Sequence, residues 1–307
     1  MSQAVKVNRW TTERLANRVV RYGDLEPCYD AFVDCRTPGS EAKENFTIIG
    51  PGVSENPAQH VHIAEPHGFN VGGARQPPGC VNSQHSHNTA EVFVVHTGTW
   101  RFDLGEHGDD AQIILHPGDT ISLPTGLFRG FTNVGEQTGF LWAVLGGDNP
   151  GRVLWAPDVF AMAKDFGLVL LENGRLVNTL AGETLPPDIA PMPPTSPHQV
   201  AALARLTAEQ AERIVVRKEA VSAMLIGPSA PLDWPHGFVL ERLVINAPVV
   251  GKTGGHVLFV QEGSVLVEGE EGSVKLETGD TMTVPEDLGS HTLVSQGAII
   301  FSVRATQ

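Results

Sequence analysis

The sequence predicts an all-β protein: two tandem antiparallel barrels with a few short helices and a proline-rich connector. Three observations predict it. First, from Phe46 onward the chain breaks into short runs such as FTIIG, TWRFDL, AQIIL, DTISL and GFLWAVLGG, divided by Gly and Pro. Thirty-three glycines and twenty-two prolines in 307 residues favour tight turns between short strands over long helices. Second, the later part of the chain repeats the earlier part. HVLFVQEGSVLV (256–267) parallels EVFVVHTGTWRF (91–102), and LETGDTMTVP (276–285) parallels LHPGDTISLP (115–124). Gly98 and Gly263 lie 165 residues apart, and Pro124 and Pro285 lie 161 apart, so order and spacing are both kept. Third, six prolines crowd the stretch from Pro186 to Pro197, which reads as an extended, semi-rigid spacer. The expected division is an N-terminal arm over 1–45, a first barrel over 46–150, a helical and proline-rich linker over 151–212, and a second barrel over 213–307.

Taken in order, residues Asn8 to Tyr22 carry a helical pattern, with Thr11 or Thr12 as cap, Glu13 in the first turn and Gly23 as the stop. Residues 23–45 show no periodicity and are expected to be loop. The β-like runs follow. Pro157 to Phe166 then reads as a helix, with Pro at its first position and Gly167 just past its end. A further helix is predicted to start at Thr207, where Gln210 completes a capping box.

A net charge of −14 argues against nucleic acid or an anionic membrane surface as partner, since phosphate binding needs a basic field. The sequence shows no stretch of apolar residues long enough to span a membrane and no signal-peptide core. Three cysteines, Cys28, Cys35 and Cys80, form no close pair and suit a reducing compartment better than a disulfide framework. A cytoplasmic protein acting on a small molecule is the expectation.

The chemistry concentrates in Gly79 to Gly98, GCVNSQHSHNTAEVFVVHTG. Residues i and i+2 of a strand share a face, so His85 and His87 can converge on one point, and Glu91 shares their parity. Two imidazoles and one carboxylate form the protein part of a non-haem Fe(II) or related divalent-metal site. Other histidines offer less. His96 has the opposite parity, His107 and His116 sit in polar turns, and His60 and His62 lie upstream with nothing to bring them near. Phe93, Val95, Trp100, Phe102, Phe131 and Trp142 read as core, with one or two free to line a pocket. Cys80 reads as a buried packing residue.

These residues resemble the cupins. The first cupin motif, G-x5-H-x-H-x3-E-x6-G, is matched by Gly79, His85, His87, Glu91 and Gly98. The second, G-x5-P-x-G-x2-H-x3-N, is matched by Gly118, Pro124, Gly126 and Asn133, with Arg129 where the motif has histidine. With its duplication the chain resembles a bicupin over roughly residues 46–150 and 213–304. The resemblance implies jelly-roll-like barrels, a divalent transition metal (Fe(II) first, with Mn, Ni or Zn as alternatives) and pairing into a homodimer. The second copy is eroded: Val250, Lys252 and His256 stand at the positions of His85, His87 and Glu91, and His291 stands opposite Arg129. A complete motif in the first half alone resembles quercetin dioxygenase more than oxalate decarboxylase.

Arg129 leaves two outcomes open, because a guanidinium has no lone pair to give a metal. In one, His85, His87 and Glu91 hold the metal and Arg129 acts catalytically, anchoring a substrate carboxylate or enolate. In the other, Arg129 pairs with Glu91, no metal binds, and the chain is a non-catalytic binding protein. The expected function is a metal-dependent, dioxygenase-like oxidoreductase on a small oxygen-rich or aromatic substrate. A metal-assisted isomerase or lyase is the rival among enzymes.

Overall fold

The computed structural model describes residues 10–306. Its contacts divide the chain into two units, and the division is not the one expected from sequence. One unit holds Glu26–Val221 with Pro231–Gly237; the other holds the described residues up to Leu25, Ser222–Ala230, and the chain from Phe238 onward. The expected arm of 1–45 is therefore split at residue 25, and the expected linker belongs to the first barrel.

The chain starts with helix α1 (Thr12–Ala16), capped by the Thr11 side chain, and strand β1 (Val19–Val20). The helix predicted over 8–22 is shorter than its pattern (residues 8 and 9 lie outside the described residues). Its second half is a strand because Val19 and Val20 pair with Met282 and Thr281. β-branched residues yield readily to such pairing.

The unit that carries the motif is built from two open sheets that face each other, not a closed barrel. Its strands are β2 (Glu44–Ile49), β3 (Val61–Ile63), β4 (Phe69–Gln76), β5 (Val81–Ser86), β6 (Glu91–Thr97), β7 (Trp100–Leu104), β8 (Ala111–Leu115), β9 (Thr120–Leu123), β10 (Arg129–Asn133), β11 (Gly139–Gly146) and β12 (Leu154–Trp155). One sheet runs β12-β5-β10-β7-β8, and the other includes β9-β6-β11-β4-β2-β3. All these pairings are antiparallel except that of β2 with β3. Alternation makes the core: Phe93 and Val95 of β6, Leu141 and Ala143 of β11 and Ile121 and Leu123 of β9 meet Trp100, Phe102 and Leu104 of β7 and Phe131 of β10. Helix α2 (Pro157–Asp165) forms where predicted and packs Val159 and Ala163 against Val33, Cys35 and Trp155. That cluster binds both the 26–45 segment and the post-barrel segment to this unit. After the hairpin β13 (Leu168–Leu170) and β14 (Leu176–Asn178) come α3 (Pro197–Ala201) and α4 (Ala208–Glu212). Thr207 caps α4 in the predicted box with Gln210, and Ser196 caps α3 in the same way inside the proline-rich stretch. Strand β15 (Val215–Val216) then extends the larger sheet along β9.

The second unit is a similar pair of open sheets. Its strands are β16 (Met224–Ile226), β17 (Phe238–Ile245), β18 (Val249–Val250), β19 (His256–Glu262), β20 (Ser264–Glu268), β21 (Ser273–Glu277), β22 (Thr281–Val284), β23 (Thr292–Val294) and β24 (Ala298–Ala305). They are ordered β1-β22-β19-β24-β17-β16 and β18-β23-β20-β21.

The duplication reaches further than the barrel motifs. A Thr-capped helix and a Val-Val strand precede each copy, and each strand pairs at the same register, Val19 with Met282 and Val215 with Ile121. An arginine two residues on reaches the aspartate of the Gly-Asp turn in both: Arg21 to Asp280 at 2.6 Å and Arg217 to Asp119 at 3.2 Å. In each case this segment joins the barrel that does not directly follow it in the chain. Among the described residues no helix is long and apolar enough to cross a membrane.

Asn133, fully buried at the end of β10, donates Nδ2 to the carbonyls of Gln76 and Gln137, each at 2.8 Å, and accepts the Gly135 amide at 3.0 Å. Asn133→Ala strands all three groups and is expected to lower the unfolding free energy by about 2–4 kcal/mol, read by urea denaturation.

Candidate metal centre

The pleat and the sheet register assemble the site. His85 lies near the end of β5, His87 one residue beyond it, Glu91 opens β6 and Arg129 opens β10. Arg129 stands directly across from His85 on one side, and Trp155 of β12 stands across from it on the other. All four polar residues are buried: His85, His87, Glu91 and Arg129 expose 4, 3, 5 and 1 % of their surface. One ligand atom from each of His85, His87 and Glu91 falls within 4.8 Å of the others, as the spacing predicts. The other histidines stay apart. His60 lies 3.7 Å from Glu26, His62 accepts the Glu26 amide, His107 and His116 are exposed, and His96 packs near Phe140.

The ring positions are fixed from behind. His85 Nδ1 is 2.7 Å from the Ser83 carbonyl, so it carries the proton and Nε2 keeps the lone pair. His87 Nδ1 is buried with no hydrogen-bond partner, and its Nε2 lies 3.7 Å from Glu91 Oε2. Burial first, and the neighbouring Arg129 cation second, hold both imidazoles well below the usual histidine range. Both are therefore uncharged at neutral pH, the form in which imidazole ligates a metal.

Arg129 Nη2 bonds Glu91 Oε2 at 2.5 Å. Its remaining contacts are long: 3.4 Å to the Leu127 carbonyl, 3.5 Å to that of His85, and none for Nε. Burial pushes the Glu91 carboxyl up and the Arg129 guanidinium down, and each is pulled back by the other. The guanidinium is too basic to give up its proton, so the pair is ionised.

A cavity of about 70 Å³ opens on the triad. Its walls include Phe32, Phe46, Phe93, Phe131 and Trp155, and its polar groups include Asn45, Gln59 and Asn82. A water takes about 10–15 Å³ of such space, so there is room for several waters or one small organic molecule. Of the predicted core aromatics, Phe93 and Phe131 reach the cavity, while Trp100 and Phe102 pack in the core below. Arg129 is not among the lining residues; it stands behind Glu91.

Sequence reasoning missed a set of buried charges behind β5. Asp34 and Lys43 form an ion pair with both side chains fully buried. Asp34 also accepts the Ser83 amide at 3.0 Å, and Lys43 donates to Asn82 Oδ1 at 3.1 Å. On the other side of His85, Glu55 accepts the Val33 amide and the Trp155 indole N–H, each at 2.7 Å. Burial pushes its carboxyl up to about 8. These residues sit in a stretch without periodicity, and nothing local distinguishes a buried Lys43 from a solvated one. The three cysteines are free and buried, and burial pushes the Cys28 and Cys35 thiols up to about 11 and about 12.

The equivalent place in the second unit holds no comparable cluster among the described residues. His256 and His291 stack with ring centroids 5.7 Å apart, Lys252 is paired with Glu241, and Val250 is exposed.

The comparisons agree with this geometry at the level of fold. Residues 74–144 match the model of the cupin domain. Germin-like protein subfamily 1 member 7 of Arabidopsis thaliana is 28% identical over 143 residues, covering 41% of this chain and 62% of that protein. Member 10 is 32% identical over 83 residues, covering 26% of this chain and 37% of that protein. The chain thus spans less than two thirds of either relative. Among solved structures, YhhW from Escherichia coli superposes with a TM-score of 0.52 at 11% identity, covering 94% of this chain and 97% of that one. A point mutant of Bacillus subtilis oxalate decarboxylase gives 0.50 at 12% identity, covering 94% and 77%. Vicilin from Capsicum annuum gives 0.51 at 11% identity, covering 94% and 85%. At these identities the likeness is one of fold.

The buried histidines carry a pH signature. Burial lowers His256 from 6.5 to about 4. The unfolded chain takes up that proton first, so stability is intact above pH 6.5 and falls as pH drops towards 4. His256→Gln removes the effect. Between pH 7 and pH 4 the wild type is expected to lose about 3 kcal/mol more than the variant, measured by urea denaturation at each pH.

Proposed function

We propose that the chain, whose residues 74–144 match the cupin domain, is a bicupin with its metal-ligand motif complete in the first half only, and that it is a metal-dependent oxidoreductase of the dioxygenase-like type. Its substrate in this reading is a small oxygen-rich or aromatic molecule held in the cavity above the triad. One observation carries the proposal: the ligand atoms of His85, His87 and Glu91 converge within 4.8 Å on the wall of a cavity whose lining includes five aromatic side chains.

The donor set fits a divalent metal. Both imidazoles are uncharged, and the buried His87 Nδ1 has no protein partner. Glu91 commits Oε2 to Arg129, and a carboxylate has lone pairs enough on its other oxygen for a second partner. Two histidines and one carboxylate favour Fe(II), and a bacterial pirin of similar fold has been solved in complex with nickel(II). When bound, the metal supplies a Lewis acid with open positions where two reactants can be held side by side. The protein's own part is positioning. His85 is locked by Ser83, Glu91 by Arg129, and Phe93, Phe131 and Trp155 exclude water and orient a flat substrate. Arg129 acts through Glu91, as a positioning residue, since it does not line the cavity.

The 2.5 Å Arg129–Glu91 bond also supports a second reading, a binding protein in which the arginine keeps the carboxylate from any metal. Elemental analysis after anaerobic Fe(II) reconstitution, with and without a small carboxylate in the buffer, separates the two. About one metal per chain is expected for the wild type and less than a tenth of that for His87→Ala. Wild type that retains no metal under either condition would reject the enzyme reading. Oxygen consumption by the loaded protein with small enols and phenols then divides oxygenase from isomerase or lyase.

A further inference from the structure

The charges around the triad do not balance for a divalent ion. In the matching motif the fourth position is a histidine, which is neutral, and the protein groups sum to −1. Here Arg129 occupies that position, so Arg129 and Glu91 sum to zero and the two uncharged histidines add nothing. A divalent ion would leave +2 in a buried site, where uncompensated charge is costly.

No neighbouring group among the described residues offsets it. Glu91 is the one charged residue among those lining the cavity. Lys43 and Asp34, behind β5, neutralise each other, and Glu55, pushed up to about 8, is mostly protonated at neutral pH. Arg129 cannot swing out to relieve the repulsion. It is 1 % exposed, and Glu91 is the one acidic side chain within ion-pair distance of it among the described residues. The missing negative charge has to arrive with a ligand. The cavity can accept one, with space for a small molecule beside the triad, and Asn82, which spends its Oδ1 on Lys43, offers chiefly N–H donors there.

Resting on the metal reading above, we propose that the metal and a small anionic oxygen ligand bind to this site as a mutually dependent pair, and that the ligand it takes is an enolate, phenolate or carboxylate and not a neutral molecule. Arg129 is the residue that imposes the requirement. It disfavours the bare ion, and it favours the ion together with an anion. By linkage the anion must tighten metal binding by the same factor as the metal tightens anion binding.

The test uses cobalt(II) as probe metal, with acetate and acetamide as small ligands of nearly equal shape and different charge. Cobalt affinity is measured by isothermal titration calorimetry, and the visible absorption of the bound ion is recorded alongside. For the wild type, acetate is expected to tighten cobalt binding on the order of 5–150-fold and to shift the absorption, with acetamide doing neither. Arg129→Met should bind cobalt more tightly than wild type without acetate and lose most of the acetate effect. Arg129→Lys, which keeps the charge, should retain the acetate effect and guards against a fold defect in the methionine variant. Cobalt binding equally tight in acetate and acetamide overturns the anion requirement while leaving the metal site standing. An acetate effect undiminished in Arg129→Met overturns the role of the arginine. No cobalt bound by the wild type in any buffer overturns both this inference and the metal reading.

Discussion

The buried contact between Arg129 and Glu91 is the interaction on which the rest of the site depends. Taking two charges out of water is expensive, and a single ion pair recovers that cost only with good geometry and further hydrogen bonds. Here the carboxylate is well served by the 2.5 Å bond, while the guanidinium makes only long contacts besides it. Removing either partner would strand the other, at a cost of about 3–5 kcal/mol. The pair therefore holds Glu91 in place, keeps the site neutral and sets the conditions on which a cation can enter.

The surrounding fold is arranged to keep this chemistry rigid. β5 is braced from both sides at His85, by β10 through Arg129 and by β12 through Trp155. Behind it Asp34, paired with Lys43, holds the Ser83 amide, and the carbonyl of the same residue fixes the His85 tautomer. Glu55 ties the 31–35 loop to Trp155 and so brings Phe32 to the cavity wall. Three sets of buried ionisable groups around one strand is a heavy electrostatic cost for a small region. The return comes from the Asp34–Lys43 and Glu55 groups, whose hydrogen bonds to Ser83, Asn82, Val33 and Trp155 rigidify the strand and the loop beside it. The second unit repeats the backbone plan without these buried charges. There His256 and His291 merely stack, and Lys252 turns to Glu241.

Much of this was legible in the chain before any coordinates. The duplication shows as repeated patterns of matching order and spacing, and the two helix caps at Thr11 and Thr207 and the convergence of His85, His87 and Glu91 follow from local rules. Caps act within three residues, and strand parity acts within two. The exchange of the β1 and β15 segments was not legible, although the matched words TERLANRVVR and AEQAERIVVR stand in the sequence. Two valines carry no mark of which sheet edge they will join. Nor could periodicity reveal Asp34, Lys43 and Glu55, because charged residues in an irregular stretch read as solvated until something folds over them.

The amino-acid sequence by itself determined the all-β plan and the identity of the three ligand-type side chains, because each depends on neighbours a few residues away, and it showed the doubling because the same local pattern is written twice. It also posed the question of Arg129 without answering it. Only the tertiary structure decided that this arginine faces Glu91 and not the cavity, that the aromatic walls leave a space of about 70 Å³, and that no other described lining residue is charged. Those outcomes rest on the register between β5 and β10, on the facing of β10 by β6 from the other sheet, and on burial, which bring together groups 38 and 44 residues apart in the chain. Long-range juxtaposition in a low-dielectric interior is what converts a familiar set of side chains into a site with its own charge requirement.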